Sequence, residues 1–318
     1  MKKFAIIFSG QGLYNPNILF LLLKKYPIIK RTFQEASDFL KYDILKKILQ
    51  EYYPNKKNQL EFQYFILISS VAMFRMWLQQ SSDLFPNIMA GHSIGQYSAL
   101  ICNHSIKFID GLKILKIRDK IIKSKKKNKK YLTYVIIGLK LPIIKKICLY
   151  VSGYKKKVFV SCINTDIQTV ITGHSLAVIK ANKICKKHGA KHIIKLPIYF
   201  SMHCLLMKKI SKIFSYHLNK IKILSGQCSI IENVKASFLL SKEEIYQAII
   251  KQFYKPVKWT KIIKKIISSQ IKYCININLN NTFRNSYLST KKLINLSINS
   301  KDYLLSTIDI IKNNEKKK

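Results

Sequence analysis

Hydrophobic positions along the chain follow first a strand period and then a helix period. A strand is predicted over Lys3 to Phe8: Phe4 to Phe8 is an unbroken apolar run, as in a strand buried on both faces, and the glycine-bearing turn Ser9-Gly10-Gln11-Gly12 closes it. Leu19 to Leu40 has helical spacing with a break at Pro27. Phe62 to Leu78 is apolar nearly all round, which predicts a long buried helix. Asn87 to Ala90 reads as a short strand and Ile94 to Asn103 as a helix, so strand, tight turn and helix follow in an α/β order. The basic run Lys123 to Lys130 reads as a linker, and the pattern changes after it. Tyr131 to Leu139 is a predicted strand, Pro142 to Tyr150 a helix, Lys157 to Ile163 and Thr169 to Thr172 strands, Ser175 to His188 a helix and His192 to Leu196 a strand. That β-α-β-β-α-β series is a ferredoxin-like unit, read here as a small subdomain over 128–197 inserted into a larger α/β one built from 1–127 and 198–311. Met207 to Ile221, Lys242 to Tyr254 and Thr260 to Ser268 return to helical spacing, a strand lies near Cys274 to Ile277, and 312–318 is a charged tail.

Composition narrows the class. With 318 residues and 48% hydrophobic content, the chain can bury a full core and is not a disordered polymer. Its 57 Lys and Arg against 15 Asp and Glu give a net charge of +42. Such a charge suits a polyanionic partner, or it reflects a general preference for lysine. The lysines run from Lys2 to Lys318 with one dense stretch, and only Arg31, Arg75, Arg118 and Arg284 are arginines. Base and phosphate readers use the planar arginine fork, so nucleic acid is not the expected partner. No run of 18 apolar residues suggests a membrane span, and the apolar start is too short for a signal peptide. The seven cysteines are odd in number, widely spaced and lack a CxxC pair, as expected of reduced thiols in a cytoplasmic protein. His188 and His192 have no acidic or cysteine ligand nearby, so no metal is expected.

Gly91-His92-Ser93-Ile94-Gly95 matches G-x-S-x-G between a predicted strand and a predicted helix, the context of a nucleophile elbow. Ser93 would stand at a sharp turn with backbone N–H groups at its side; the alternative is a glycine-rich turn carrying an idle serine. A serine nucleophile needs a base. Among the seven histidines, His203 follows a strand-like stretch, Leu196 to Phe200, and so has the address of a catalytic base, or else of a buried structural histidine.

These pieces together resemble the malonyl-CoA:acyl-carrier-protein transacylase family of fatty-acid synthesis. Phe8-Ser9-Gly10-Gln11-Gly12 resembles its F-P-G-Q-G, and Gly91 to Leu100 its G-H-S-L-G-E-Y-S-A-L. Arg118 falls 25 residues after Ser93, where the family has an arginine. Asn164, Gln168, Val170 and Gly173 resemble N-S-P-x-Q-x-V-I-x-G, and His203 with Leu206-Met207 resembles S-H-x-x-L-M. Gln252 to Trp259 resembles Q-L-Y-x-P-V-x-W. The resemblance spans about residues 2–290.

It implies an α/β-hydrolase-like large subdomain with a ferredoxin-like insertion, and malonyl transfer from malonyl-CoA to the phosphopantetheine thiol of an acidic acyl-carrier protein, with no cofactor and as a monomer. A polyketide acyltransferase or an acyl hydrolase is the alternative. By resemblance, Ser93 is the nucleophile, His203 the base, Gln11 and Ile94 the backbone oxyanion donors, and Arg118 the clamp for the substrate carboxylate. An acceptor near Gln252 orients His203, while Gln63, Asn164 and Met202 line the site. The chain departs from the family at Ser9, Gln96, Thr165-Asp166 and Asn278-Leu279-Asn280. Met202, in place of a smaller residue, is expected to narrow the acyl pocket against α-branched donors.

Overall fold

A computed structural model describes residues 2–10, 16–51, 59–125, 131–198, 200–277, 279 and 292–313. Among them are ten strands: β1 Phe4–Phe8, β2 Ile88–Gly91, β3 Tyr131–Ile137, β4 Val158–Thr165, β5 Gln168–His174, β6 His192–Lys195, β7 Ser229–Ile231, β8 Phe238–Leu239, β9 Tyr273–Ile277 and β10 Ile294–Ser297. They form an α/β fold with two sheets.

The larger sheet has the order β10-β9-β1-β2-β7-β8. It is mixed: all neighbours are parallel except the β7–β8 pair. β1 is central and apolar at every position because both of its faces are covered. Phe4, Ile6 and Phe8 enter the main core with the buried helix Gln59–Gln80, whose Trp77 ring meets Phe4 edge-on at 5.9 Å. Ala5 and Ile7 face a second cluster with Trp259, Ile262, Ile263 and Ile266 from the helix Trp259–Ser268.

The smaller sheet has the antiparallel order β4-β5-β3-β6. The helices Leu141–Val151 and Ser175–Lys187 pack on it through Ile144, Ile147, Val178, Ala181 and Cys185. Its other face joins the large body, since Val135, Cys162 and Val170 belong to the cluster of Ala5 and Trp259. Backbone bonds sew the same seam: Ile163 N–H donates to Val257 O at 2.8 Å, and Val257 N–H to Ser161 O at 2.9 Å.

The helix expected over Leu19 to Leu40 is two helices, Pro16–Lys25 and Pro27–Leu40, as a proline at a first helical turn requires. The stretch after β6 is not a strand at 196–198. The pattern did not predict the helices Ile44–Glu51, Phe108–Lys125 and Lys301–Lys312, or the strands β7, β8 and β10. Gln11, Asn278, Asn280 and most of the basic run lie outside the described residues.

Candidate functional site

The carboxyl ends of β1 and β2 lie side by side, with Phe8 opposite Gly91, and ligands of parallel sheets gather at such ends. β2 stops at Gly91, the chain turns through His92 and Ser93, and the helix Gly95–Cys102 begins. Two glycines make this close passage possible: a Cβ on Gly91 would strike Gly95 O, and one on Gly95 would strike Phe8 O. Ser93 takes φ +54°, a left-handed value that costs a non-glycine residue about 1–3 kcal/mol and persists where surrounding contacts enforce it.

Ser93 Oγ lies 2.7 Å from His203 Nε2. His203 Nδ1 lies 2.7 Å from the main-chain oxygen of Gln252. A carbonyl only accepts, so Nδ1 carries the hydrogen and Nε2 is left as the acceptor facing the serine hydroxyl. His203 is itself left-handed, φ +60°, and its N–H donates to Phe253 O at 2.8 Å, so the helix Lys242–Tyr254 holds both its backbone and its ring. Burial lowers its pKa to about 3, against a raising effect of the Gln252 carbonyl; the nearby Arg118 cation and the neighbouring His92 ring lower it further. The imidazole is therefore neutral near pH 7.

Arg118 comes from the helix Phe108–Lys125 and is 3% exposed. One guanidinium nitrogen donates to Gln63 Oε1 at 3.1 Å, and Nε has no partner. The group lies 5.7 Å from the Phe253 ring and 5.9 Å from the Tyr97 ring. Among the described residues no carboxylate pairs with it; neighbouring Asp119 pairs with Lys123 at 2.7 Å. Burial depresses its pKa, partly offset by Tyr97 and Asp119. A buried cation with an open donor is poised for an anion from outside.

Asn164 on β4 brings Oδ1 within 3.0 Å of His92 Nε2, so His92 turns toward the smaller sheet rather than to Ser93. Met202 is buried directly before His203. Ile94 is buried too, and among the described residues its N–H donates no hydrogen bond. Gln11 is outside the described residues. Cys204, beside His203, is no rival nucleophile, because burial pushes its thiol up to about 12. All seven cysteines are unpaired. Among the described residues no cluster could hold a metal, and no helix is long and apolar enough to cross a membrane.

Asn233 is a site residue that the pattern did not flag. It is fully buried after β7, and its Oδ1 accepts the Ser93 N–H at 2.8 Å. Nothing in Ile231-Glu232-Asn233-Val234 marks it, because its partners at the elbow, Gly91, Ser93 and Gln96, are more than a hundred residues away.

No family model matches the chain. It is 37% identical over 308 residues to the malonyl CoA-acyl carrier protein transacylase of Buchnera aphidicola from Schizaphis graminum, covering 96% of this chain and 98% of that one. Its structure resembles that of the malonyl CoA-acyl carrier protein transacylase of Coxiella burnetii, with a TM-score of 0.90 and 30% identity over 98% of both chains. It also resembles a malonyl-transacylase solved in complex with a type II polyketide-synthase acyl-carrier protein, with a TM-score of 0.90 and 30% identity over 97% of this chain and 100% of that one.

Proposed function

This chain belongs to the malonyl CoA-acyl carrier protein transacylase family, and from that premise we propose that Ser93 and His203 carry out its reaction. The enzyme moves a malonyl group from malonyl-CoA to acyl-carrier protein in fatty-acid synthesis. In the proposed route His203 Nε2 takes the hydroxyl proton as Ser93 Oγ attacks the thioester carbon. The developing oxyanion accepts from the Ile94 N–H and, by resemblance, the Gln11 N–H. Each such donor is worth about 10²–10³ in rate. The carbon–sulfur bond then breaks, and the CoA sulfur leaves with the proton held by His203. The carrier's phosphopantetheine thiol gives its proton to His203 and attacks malonyl-Ser93; the acyl carbon–oxygen bond breaks, His203 passes that proton to Ser93 Oγ, and the malonyl thioester leaves.

The observation that carries this reading is the 2.7 Å approach of Ser93 Oγ to His203 Nε2, with Gln252 O fixing the ring from behind. Arg118 would bind the free malonyl carboxylate through its planar fork, and its open Nε supports that role. Gln63 orients the guanidinium, Asn164 holds His92, and Met202 narrows the acyl pocket.

Several finer readings belong to the same proposal. The strand order β6-β3-β5-β4, with two helices on one face, supports a ferredoxin-like subdomain over 128–197. The parallel core with its elbow supports an α/β-hydrolase-like body over 1–127 and 198–311. The +42 charge suits an acidic carrier. The enzyme would act as a cytoplasmic monomer without a cofactor. Ser93→Ala and His203→Ala, assayed for malonyl transfer, test the assignment: each should fall by more than about 10³-fold, and turnover within tenfold of the parent would refute it.

A further inference from the structure

The turn under Ser93 carries Gly91 O and Ser93 N–H outside the ladder of its own helix, while Ser93 O accepts the Gln96 N–H of that helix at 3.1 Å; two amide side chains from distant elements reach these groups. Asn233 Nδ2 donates to Gly91 O at 2.6 Å, and its Oδ1 accepts from Ser93 N–H at 2.8 Å. Gln252 Nε2 donates to Ser93 O at 2.9 Å and to Asn233 Oδ1 at 3.3 Å. A carboxamide sets a donor and an acceptor side by side on a short stem at any pH, whereas a carboxyl does so only when protonated, and spanning Gly91 and Ser93 demands both.

Asn233 is itself held on every side. Its main-chain N–H donates to Gln96 Oε1 at 3.0 Å, and its carbonyl accepts from Lys258 N–H at 2.8 Å. The β7–β8 hairpin that bears it is braced by Glu232, whose carboxylate accepts the N–H groups of Val234 and Lys235. The residue is 0% exposed and has no polar atom unmet.

We propose that Asn233 is a positioning residue for the acyl transfer: its carboxamide fixes the peptide bearing Ser93 so that Oγ faces His203 and the Ile94 N–H remains free. By engaging the Ser93 N–H, it leaves the next N–H along the chain as the donor for an oxyanion. Its bond to Gln252 ties this turn to the residue whose main-chain oxygen holds His203 Nδ1. Nucleophile and base thus share one buried node. The inference rests on the role of Ser93 given above.

The test is the rate of malonyl-Ser93 formation, followed by quenched flow and intact mass, with melting recorded on the same samples. Asn233→Ala should acylate about 10²-fold more slowly with KM for malonyl-CoA changed less than about threefold, as expected when reacting atoms are misplaced. Asn233→Asp keeps the acceptor for Ser93 N–H and regains the donor to Gly91 O when protonated. It should therefore acylate faster than the alanine variant, and faster near pH 5 than near pH 8. An alanine variant within threefold of the parent, or an aspartate variant no faster than alanine at any pH, overturns the proposal. If only the aspartate variant folds, its pH dependence decides; if neither folds, Asn233 merely holds the fold and the proposal fails. A parent that forms no Ser93 adduct would refute the nucleophile assignment instead.

Discussion

Replacing Arg118 with methionine should separate two substrates that differ by one carboxylate. The guanidinium is 3% exposed, spends one donor on Gln63 and leaves Nε unmet. A malonyl carboxylate entering this pocket would complete a buried ion pair, whereas an acetyl group brings nothing to pair. Removing one partner of a buried pair costs about 3–5 kcal/mol, because the other charge is left desolvated. At about 1.36 kcal/mol per decade, kcat/KM for malonyl-CoA should fall by about 10²–10⁴. The same constant for acetyl-CoA should stay within about threefold. Arg118→Lys should lie between, keeping the charge but losing the fork. Because the parent buries an unpaired cation, the methionine variant should also melt no lower than the parent. The assay is transfer of either acyl group to carrier protein under subsaturating donor. Equal losses for the two donors would refute the reasoning, since Arg118 would then serve the fold or the chemistry common to both.

Four further outcomes are expected. With His203 held down to about 3 by burial, the ring is neutral through the working range, so kcat/KM should show no acid limb near pH 6.5; a limb there would mean that burial does not depress the ring's pKa. The folded pKa lies below the unfolded value of 6.5, so the unfolded chain takes the proton first as pH falls. The neutral ring's contribution to stability is therefore present above about pH 6.5 and lost toward about pH 3, and His203→Phe should flatten that part of the stability profile. Gly95→Ala, whose Cβ would strike Phe8 O, should cost about 1–3 kcal/mol or more in denaturant unfolding, and a neutral result would mean the β1–elbow contact is looser than described. The net charge of +42 should make kcat/KM for an acidic carrier protein fall by about tenfold or more between low and high salt, with kcat nearly constant; a flat salt response would exclude electrostatic steering.

The parts of the fold that repeat a local period were readable from sequence. The unbroken Phe4 to Phe8 run, the apolar helix before Gln80 and the antiparallel small sheet each announce themselves within a few residues. The strands β7, β8 and β10 do not, being two to four residues long, too short to show a period, and set by the strands they pair with. The helix Phe108–Lys125 was hidden by its interleaved lysines. At the site, Ser93 was legible because G-x-S-x-G is local; Arg118 was singled out among four arginines by the resemblance, and the rarity of arginine in a lysine-rich chain only sharpened it. His203 needed the resemblance. Gln252 was legible only as an approximate address, since the group that meets His203 is its main-chain oxygen, which no side-chain type encodes. Asn233 was not legible at all: its role lies in four partners, Gly91, Ser93, Gln252 and Gln96, brought together only by the folded chain.

The central claim is a covalent malonyl intermediate on Ser93. Mixing the enzyme with malonyl-CoA and taking intact and peptide mass spectra tests it directly. One malonyl group per chain, on the peptide bearing Ser93 and discharged when holo acyl-carrier protein is added, is the predicted result. No adduct, an adduct on another residue, or one that the carrier cannot remove would contradict the account.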